Sequence, residues 1–86
     1  MNGELLIGRV PPQNIEAEQA VLGAILIDIA ALAVCQERIR AEDFYRTNHQ
    51  RIYESMEELW EENEPIDLVT LTAKLQDKHL LEEIGG

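Results

Sequence analysis

Seven Lys and Arg against seventeen Asp and Glu give this 86-residue chain a formal net charge of −10, so it is too short for two hydrophobic cores and is repelled by nucleic-acid phosphate and anionic lipid. Hydrophobic residues at 45%, with only 5 Gly and 3 Pro, exclude a disordered polar chain. The single cysteine, Cys35, excludes an internal disulfide and a four-cysteine zinc site, and fits a reducing cytoplasm.

Residues 1–13 read as an extended or flexible tail, because Gly3 and Gly8 break any period and Pro11-Pro12 hold the backbone extended. Leu5-Leu6-Ile7 has no basic flank and is too short for a signal peptide or a membrane span, so a soluble, unprocessed chain without membrane contact is expected. Asn14 predicts a helix N-cap, with Glu16 and Glu18 in the first turn where the helix dipole favours negative charge. From Ala17 to Ile27 the residues are apolar almost all round, which predicts a central, buried helix with Gly23 at a close helix crossing. Asp28 is expected to cap a second helix, Ile29 to about Ile39, facing inward through Leu32, Cys35 and Ile39.

Between Arg40 and Arg46 the period is lost, and Phe44 and Tyr45 are expected to plug one end of the bundle. Thr47 and Gln50 fit a capping box that starts a third helix. Its core face is expected to be Ile52, Met56, Leu59 and Trp60, with Tyr53 at the border and Glu54, Glu57, Glu58, Glu61 and Glu62 on the opposite face. Asn63 suits a left-handed helix end, and Pro65 prevents continuation. Asp67 predicts the next cap, with Ile66 and Leu71 as a hydrophobic staple and Leu68, Leu71 and Leu75 facing inward. A break at Asp77 to His79 leads to a short turn bearing Leu80, Leu81 and Ile84, closed by Gly85-Gly86. No strand signal, internal repeat or low-complexity run is present. The expectation is an all-α domain over 14–86: a compact multi-helix orthogonal bundle of about four main helices plus short turns.

Chemistry-bearing patterns are sparse. No GxxxxGK[ST] segment occurs, so the backbone cradle and lysine that hold nucleotide phosphates are missing. His49 and His79 belong to no HExxH pair or Cys/His cluster, so His49 reads as a structural hydrogen-bonding residue and His79 as surface. Cys35 reads as a small buried hydrophobe, slow to react. The run Glu54 to Glu64 lacks the apolar pocket that a general acid needs, and reads as a solvated stripe. Catalytic, cofactor-binding and metal residues are therefore expected to be none. Arg38, Arg40, Arg46 and Arg51 form the one locally basic stretch, with local pairs such as Glu37 with Arg40 and Arg51 with Glu54. The candidates for touching a partner are Arg9, Pro11 and Pro12 in the extended segment, Arg46, and Glu54, Glu58 and Glu61 on the acidic face.

Four blocks in order carry a resemblance. The run from Arg9 to Gly23 (Arg9-Val10-Pro11-Pro12-Gln13-Asn14-Ile15-Glu16-Ala17-Glu18-Gln19-Ala20-Val21-Leu22-Gly23) resembles the opening signature of bacterial replicative DNA helicases of the DnaB type. Glu42-Asp43-Phe44-Tyr45-Arg46 with His49-Gln50, then Glu64 to Thr72, then Leu81-Glu82-Glu83-Ile84-Gly85-Gly86 agree with it in spacing. Two positions depart: Ile29 stands where the family often has Pro and Asn63 where it often has Gly, both physically compatible. The resemblance implies a helical globule that is followed in the family by a helical hairpin, a linker and a RecA-like ATPase domain. It implies six chains in a ring, a collar that receives primase, and motors that use ATP and Mg to translocate on single-stranded DNA.

Gly86 falls before the hairpin and the motor, so these residues are expected to be the globule alone, truncated ahead of the hairpin, with no ATPase domain and no cofactor of their own. The implied function is a non-catalytic docking and assembly domain of a hexameric, ATP-dependent replicative helicase, in the bacterial cytoplasm. Its implied partners are primase and other copies of the helicase, a homohexamer in the parent chain, with a helicase loader left open and no direct DNA binding. Alone, the piece is expected to be monomeric or weakly associating. A free-standing acidic adaptor, binding a basic protein through the Glu54 to Glu64 face, is the competing reading.

Overall fold

Asn14 caps as its position predicts: its side-chain oxygen accepts from the Ala17 amide at 3.2 Å and starts α1 (Ile15–Ile27). This is a computed structural model that describes residues 14–84. The segment 1–13, expected as a tail, lies outside the described residues. Contrary to expectation α1 is not a buried central helix. It packs on α2 and α3 through one face, where Leu22 and Ile25 are buried, and leaves Ala17, Ala20, Ala24 and Ile27 exposed. Apolar composition marks faces that water disfavours, but only the tertiary arrangement decides how many of them are covered. Gly23 is no close crossing either, since a Cβ added there meets nothing within 4 Å.

Helix α2 (Ala30–Gln36) is shorter than expected. Asp28 assists its start, with Oδ1 accepting from the Ala30 amide at 3.0 Å. The end comes early because the amides of Arg38 and Ile39 both donate back to the Cys35 carbonyl, at 2.9 and 2.7 Å. Leu32 is fully buried, and Cys35 and Ile39 pack against the core as their spacing predicts. A 3-10 turn (Ala41–Asp43) follows, in which Asp43 Oδ2 accepts from the Arg40 amide at 2.8 Å. Phe44 plugs the core, while Tyr45 is exposed and does not. The backbone is extended at Phe44 (φ −76°, ψ 137°), so consecutive side chains point to opposite sides.

The central element is α3 (Thr47–Glu61), which packs against α1, the 3-10 turn, α4 and α5. The expected capping box does not form. Thr47 lies inside the helix, and Gln50 Nε2 instead donates to the Phe44 carbonyl at 2.7 Å. Tyr53 and Met56 are fully buried, whereas Trp60 is 43% exposed, so Tyr53 holds the centre of the face and Trp60 its border. The polar His49 and Ser55 are buried too and rotate the face toward Tyr53, a contribution that an apolar-only pattern omits.

Asn63 adopts the left-handed conformation at φ 60°, and the Glu64 amide returns to the Leu59 carbonyl at 2.9 Å. Helix α4 (Leu68–Asp77) begins on a reciprocal cap: Asp67 Oδ1 accepts from the Thr70 amide at 2.9 Å and Thr70 Oγ1 accepts from the Asp67 amide at 3.0 Å. Ile66, Leu71 and Leu75 are buried, but Leu68 is 69% exposed and does not face inward. Side chains lean toward a helix N-terminus, and Ile66 already fills the core at that end. His79, also at φ 60°, precedes the short α5 (Leu81–Ile84), and Leu80 and Leu81 pack on the core. Five α-helices and one 3-10 turn, with no strand among the described residues, make the fold all-α as expected.

Candidate docking surface

Glu18 is the most heavily used side chain of α1. Its carboxylate accepts from the Tyr45 amide at 2.6 Å and the Arg46 amide at 3.5 Å, and lies 2.6 Å from His49 Nδ1. The two side chains are 12% and 7% exposed, and the Phe44 ring meets His49 edge-on, with 6.4 Å between ring centroids. Burial alone pushes the Glu18 carboxyl up, but the hydrogen bonds from His49, Tyr45 and Arg46 together hold it below its usual value. His49 thus has the structural hydrogen bond its position suggested. The pairing with Glu18 itself has no local sequence signal. Glu18 reads in the sequence only as one of two first-turn acids, beside Glu16.

The acidic face of α3 is less free than the spacing suggests. Lys78 Nζ lies 3.0 Å from Glu58 Oε2 and 3.2 Å from Ser55 Oγ, and Lys74 Nζ lies 2.7 Å from Glu62 Oε2, so α4 is pinned to α3 by charge-assisted bonds. The bond to Glu62 pushes the Lys74 ammonium above its usual value. Glu57 accepts from Gln36 at 3.1 Å and Glu54 pairs with Arg51 at 3.3 Å, the latter as expected. No pair of Glu37 with Arg40 is formed among the described residues. The stripe is solvated and paired at once: Glu54, Glu62 and Glu58 keep 40%, 50% and 43% of their side chains exposed while they hold Arg51, Lys74 and Lys78.

Of the expected partner contacts, Arg9, Pro11 and Pro12 lie outside the described residues. Arg46 is exposed, with Nε donating to Asn48 Oδ1 at 3.3 Å; Glu54 and Glu58 are held in the pairs above; Glu61 is exposed. Ile27 is 88% exposed, and Ile29, Trp60 and Pro65 share an exposed surface that no spacing in the sequence marks. A shallow groove lies there, lined by Ile29, Trp60, Asn63, Glu64 and Pro65.

Among the described residues no three His, Cys, Asp or Glu side chains are grouped to hold a metal, and no helix is long and apolar enough to cross a membrane. Burial pushes the half-buried Cys35 thiol up, which disfavours the reactive thiolate. Burial likewise pushes the Tyr53 hydroxyl up to about 12, with the charges of Glu57, Cys35 and Asp43 adding to it, so it stays a donor to the Ile39 carbonyl at 3.0 Å.

Fold and surface define a small all-helical acidic domain with no catalytic constellation among its described residues. A family model, the DnaB-like helicase N terminal domain, matches residues 10–86. The chain is 54% identical over 83 residues to the replicative DNA helicase DnaC of Bacillus subtilis, a match covering 96% of this chain and 18% of that protein. It is equally identical, with the same coverage, to the replicative DNA helicase DnaB of Geobacillus stearothermophilus. The crystal structure of the N-terminal domain of DnaB helicase from Mycobacterium tuberculosis superposes with a TM-score of 0.84 at 46% identity, over 88% of this chain and 53% of that one. The chain belongs to the DnaB-like helicase N-terminal domain family, and it spans about a fifth of the length of the two replicative helicases.

Proposed function

We propose that this domain is the non-catalytic docking and assembly piece of a longer, ATP-dependent replicative DNA helicase. The observation that carries the reading is coverage. The family match runs from residue 10 to 86, yet the chain accounts for 18% of relatives named as replicative helicases, and its 86 residues contain no phosphate-binding GxxxxGK[ST] segment. In this reading the motor, with its ATP and Mg, lies outside these residues. The domain acts by position: with copies of itself in a hexameric ring it holds primase beside the emerging strand and raises its effective concentration there. A helicase loader is a further partner the surface leaves open, and the setting is the bacterial cytoplasm. The net charge of −10 supports a role without direct DNA contact.

Reading the native coding frame past Gly86 tests this. A hairpin-length helical stretch, a linker and a GxxxxGK[ST] segment are expected. A stop codon shortly after Gly86 overturns the proposal and gives the lead to a free-standing acidic adaptor.

A further inference from the structure

The groove at the border of α3 places an exposed aromatic and an exposed aliphatic side chain together. Trp60 is 43% exposed and Ile29 37%, and both line one concavity of about 380 Å³ with Asn63, Glu64 and Pro65. That space, open to solvent on one side, is an order of magnitude larger than one water needs, and its apolar walls are Ile29, Trp60 and Pro65. Its shape is fixed by the chain itself: Asn63 turns the backbone at φ 60° and Pro65 stiffens the far wall. Clustered aromatic and aliphatic groups of this kind are the usual anchors of binding energy in protein interfaces.

The charges around the groove state what fits it. Glu64 lines it, Asp28 precedes Ile29 and Glu61 follows Trp60, and none of the three forms an ion pair among the described residues. The neighbouring lysines Lys74 and Lys78 are already taken by Glu58 and Glu62. Two copies meeting groove to groove bring these carboxylates together and repel, whatever other surfaces join copies in a ring, and a nucleic acid is repelled as well. We infer that the Trp60 groove is a docking site for a basic protein segment that inserts an aliphatic or aromatic anchor. The anchor sits between Ile29 and Trp60, while flanking Lys or Arg side chains meet Asp28, Glu61 and Glu64 and one of them covers the indole face. The inference rests on the reading of this domain as a docking piece and gives its partner a chemistry.

Trp60 is the only tryptophan, so its emission reports the groove directly. The probes are three fluorescein-labelled peptides of equal length, an amphipathic Leu/Lys helix, its Leu/Glu counterpart and a Ser/Lys peptide, titrated against the chain and followed by anisotropy. The Leu/Lys peptide is expected to bind and shift the Trp60 emission to the blue; the Leu/Glu peptide is expected not to bind, and the Ser/Lys peptide to bind at least about tenfold more weakly. Trp60→Ala, Ile29→Ser and Glu64→Lys are each expected to weaken Leu/Lys binding about tenfold, while Glu42→Lys, in the distant 3-10 turn, leaves it within about twofold. Melting curves confirm that the variants fold, and Ile29→Ser stands in if Trp60→Ala does not.

Binding that ignores Trp60→Ala and Ile29→Ser, or that falls equally with Glu42→Lys, overturns the site in favour of diffuse attraction. A red shift of Trp60 emission on deleting residues 1–13 gives the groove to the chain's own N-terminal segment and also overturns it. A parallel titration with primase separates the two levels: primase binding that survives Trp60→Ala removes the groove and keeps the docking role, whereas peptide binding at the groove without primase binding does the reverse.

Discussion

Glu18 ties α1 to the start of α3 by accepting from two backbone amides and meeting His49 at 2.6 Å, groups that sit 27 to 31 residues away along the chain. Glu18→Gln keeps the shape but removes the charge that strengthens all three contacts, and is expected to cost about 2 kcal/mol. For a domain of this size that is a drop of roughly 8 to 16 °C in Tm, readable by circular dichroism; an unchanged Tm would show that the contacts carry no net stability. The pH dependence has a fixed sign. The folded carboxyl titrates below its unfolded value, so its contribution is complete above the unfolded value and is lost as pH falls through the folded one. The gap in Tm between the native chain and Glu18→Gln is therefore expected to narrow on acidification. Residues whose role is local were legible in the sequence: Asn14 and Asp67 as caps, Asn63 as a left-handed stop. The Glu18 pairing was not, because no period or spacing joins residues that far apart.

At the level of helices, position along the chain was legible and depth was not. The apolar run of α1 was visible, yet hydrophobicity does not tell a face covered by α3 from one left bare, and α1 proved half exposed. Gly23 sits in that helix with open space around it, so Gly23→Ala is expected to stabilise the chain by up to about 1 kcal/mol through helix propensity alone. A fall in Tm instead would mean that something packs closely there. Helix α4 offers a paired test. Leu68 is exposed at its first turn and Leu71 is buried one turn on, so Leu68→Ala is expected to change stability by less than about 0.5 kcal/mol and Leu71→Ala to cost about 2 to 5 kcal/mol by urea denaturation. Equal costs would mean that α4 is rotated from the orientation described. The α3 face was centred on the wrong side of Tyr53 for a related reason: buried His49 and Ser55 help define it, and polar residues are invisible to an apolar pattern.

For the whole molecule, composition and motif order carried the class. An acidic, all-helical chain without a phosphate cradle was legible from the sequence, and the four collinear blocks led to the family that the comparisons then showed. The surface was the least legible part. Two acids of the stripe, Glu58 and Glu62, pair with Lys78 and Lys74 across from α4, and the Trp60 groove, assembled from the α1–α2 junction, α3 and the α3–α4 loop, exists only once the chain is folded. The central claim is that this domain docks a protein partner and takes no hold of DNA itself. The direct measurement is a pair of titrations at physiological salt, one with labelled single-stranded DNA and one with the primase of the organism that encodes the chain. The account predicts saturable primase binding and no DNA signal. Saturable DNA binding, or no response to primase, contradicts it.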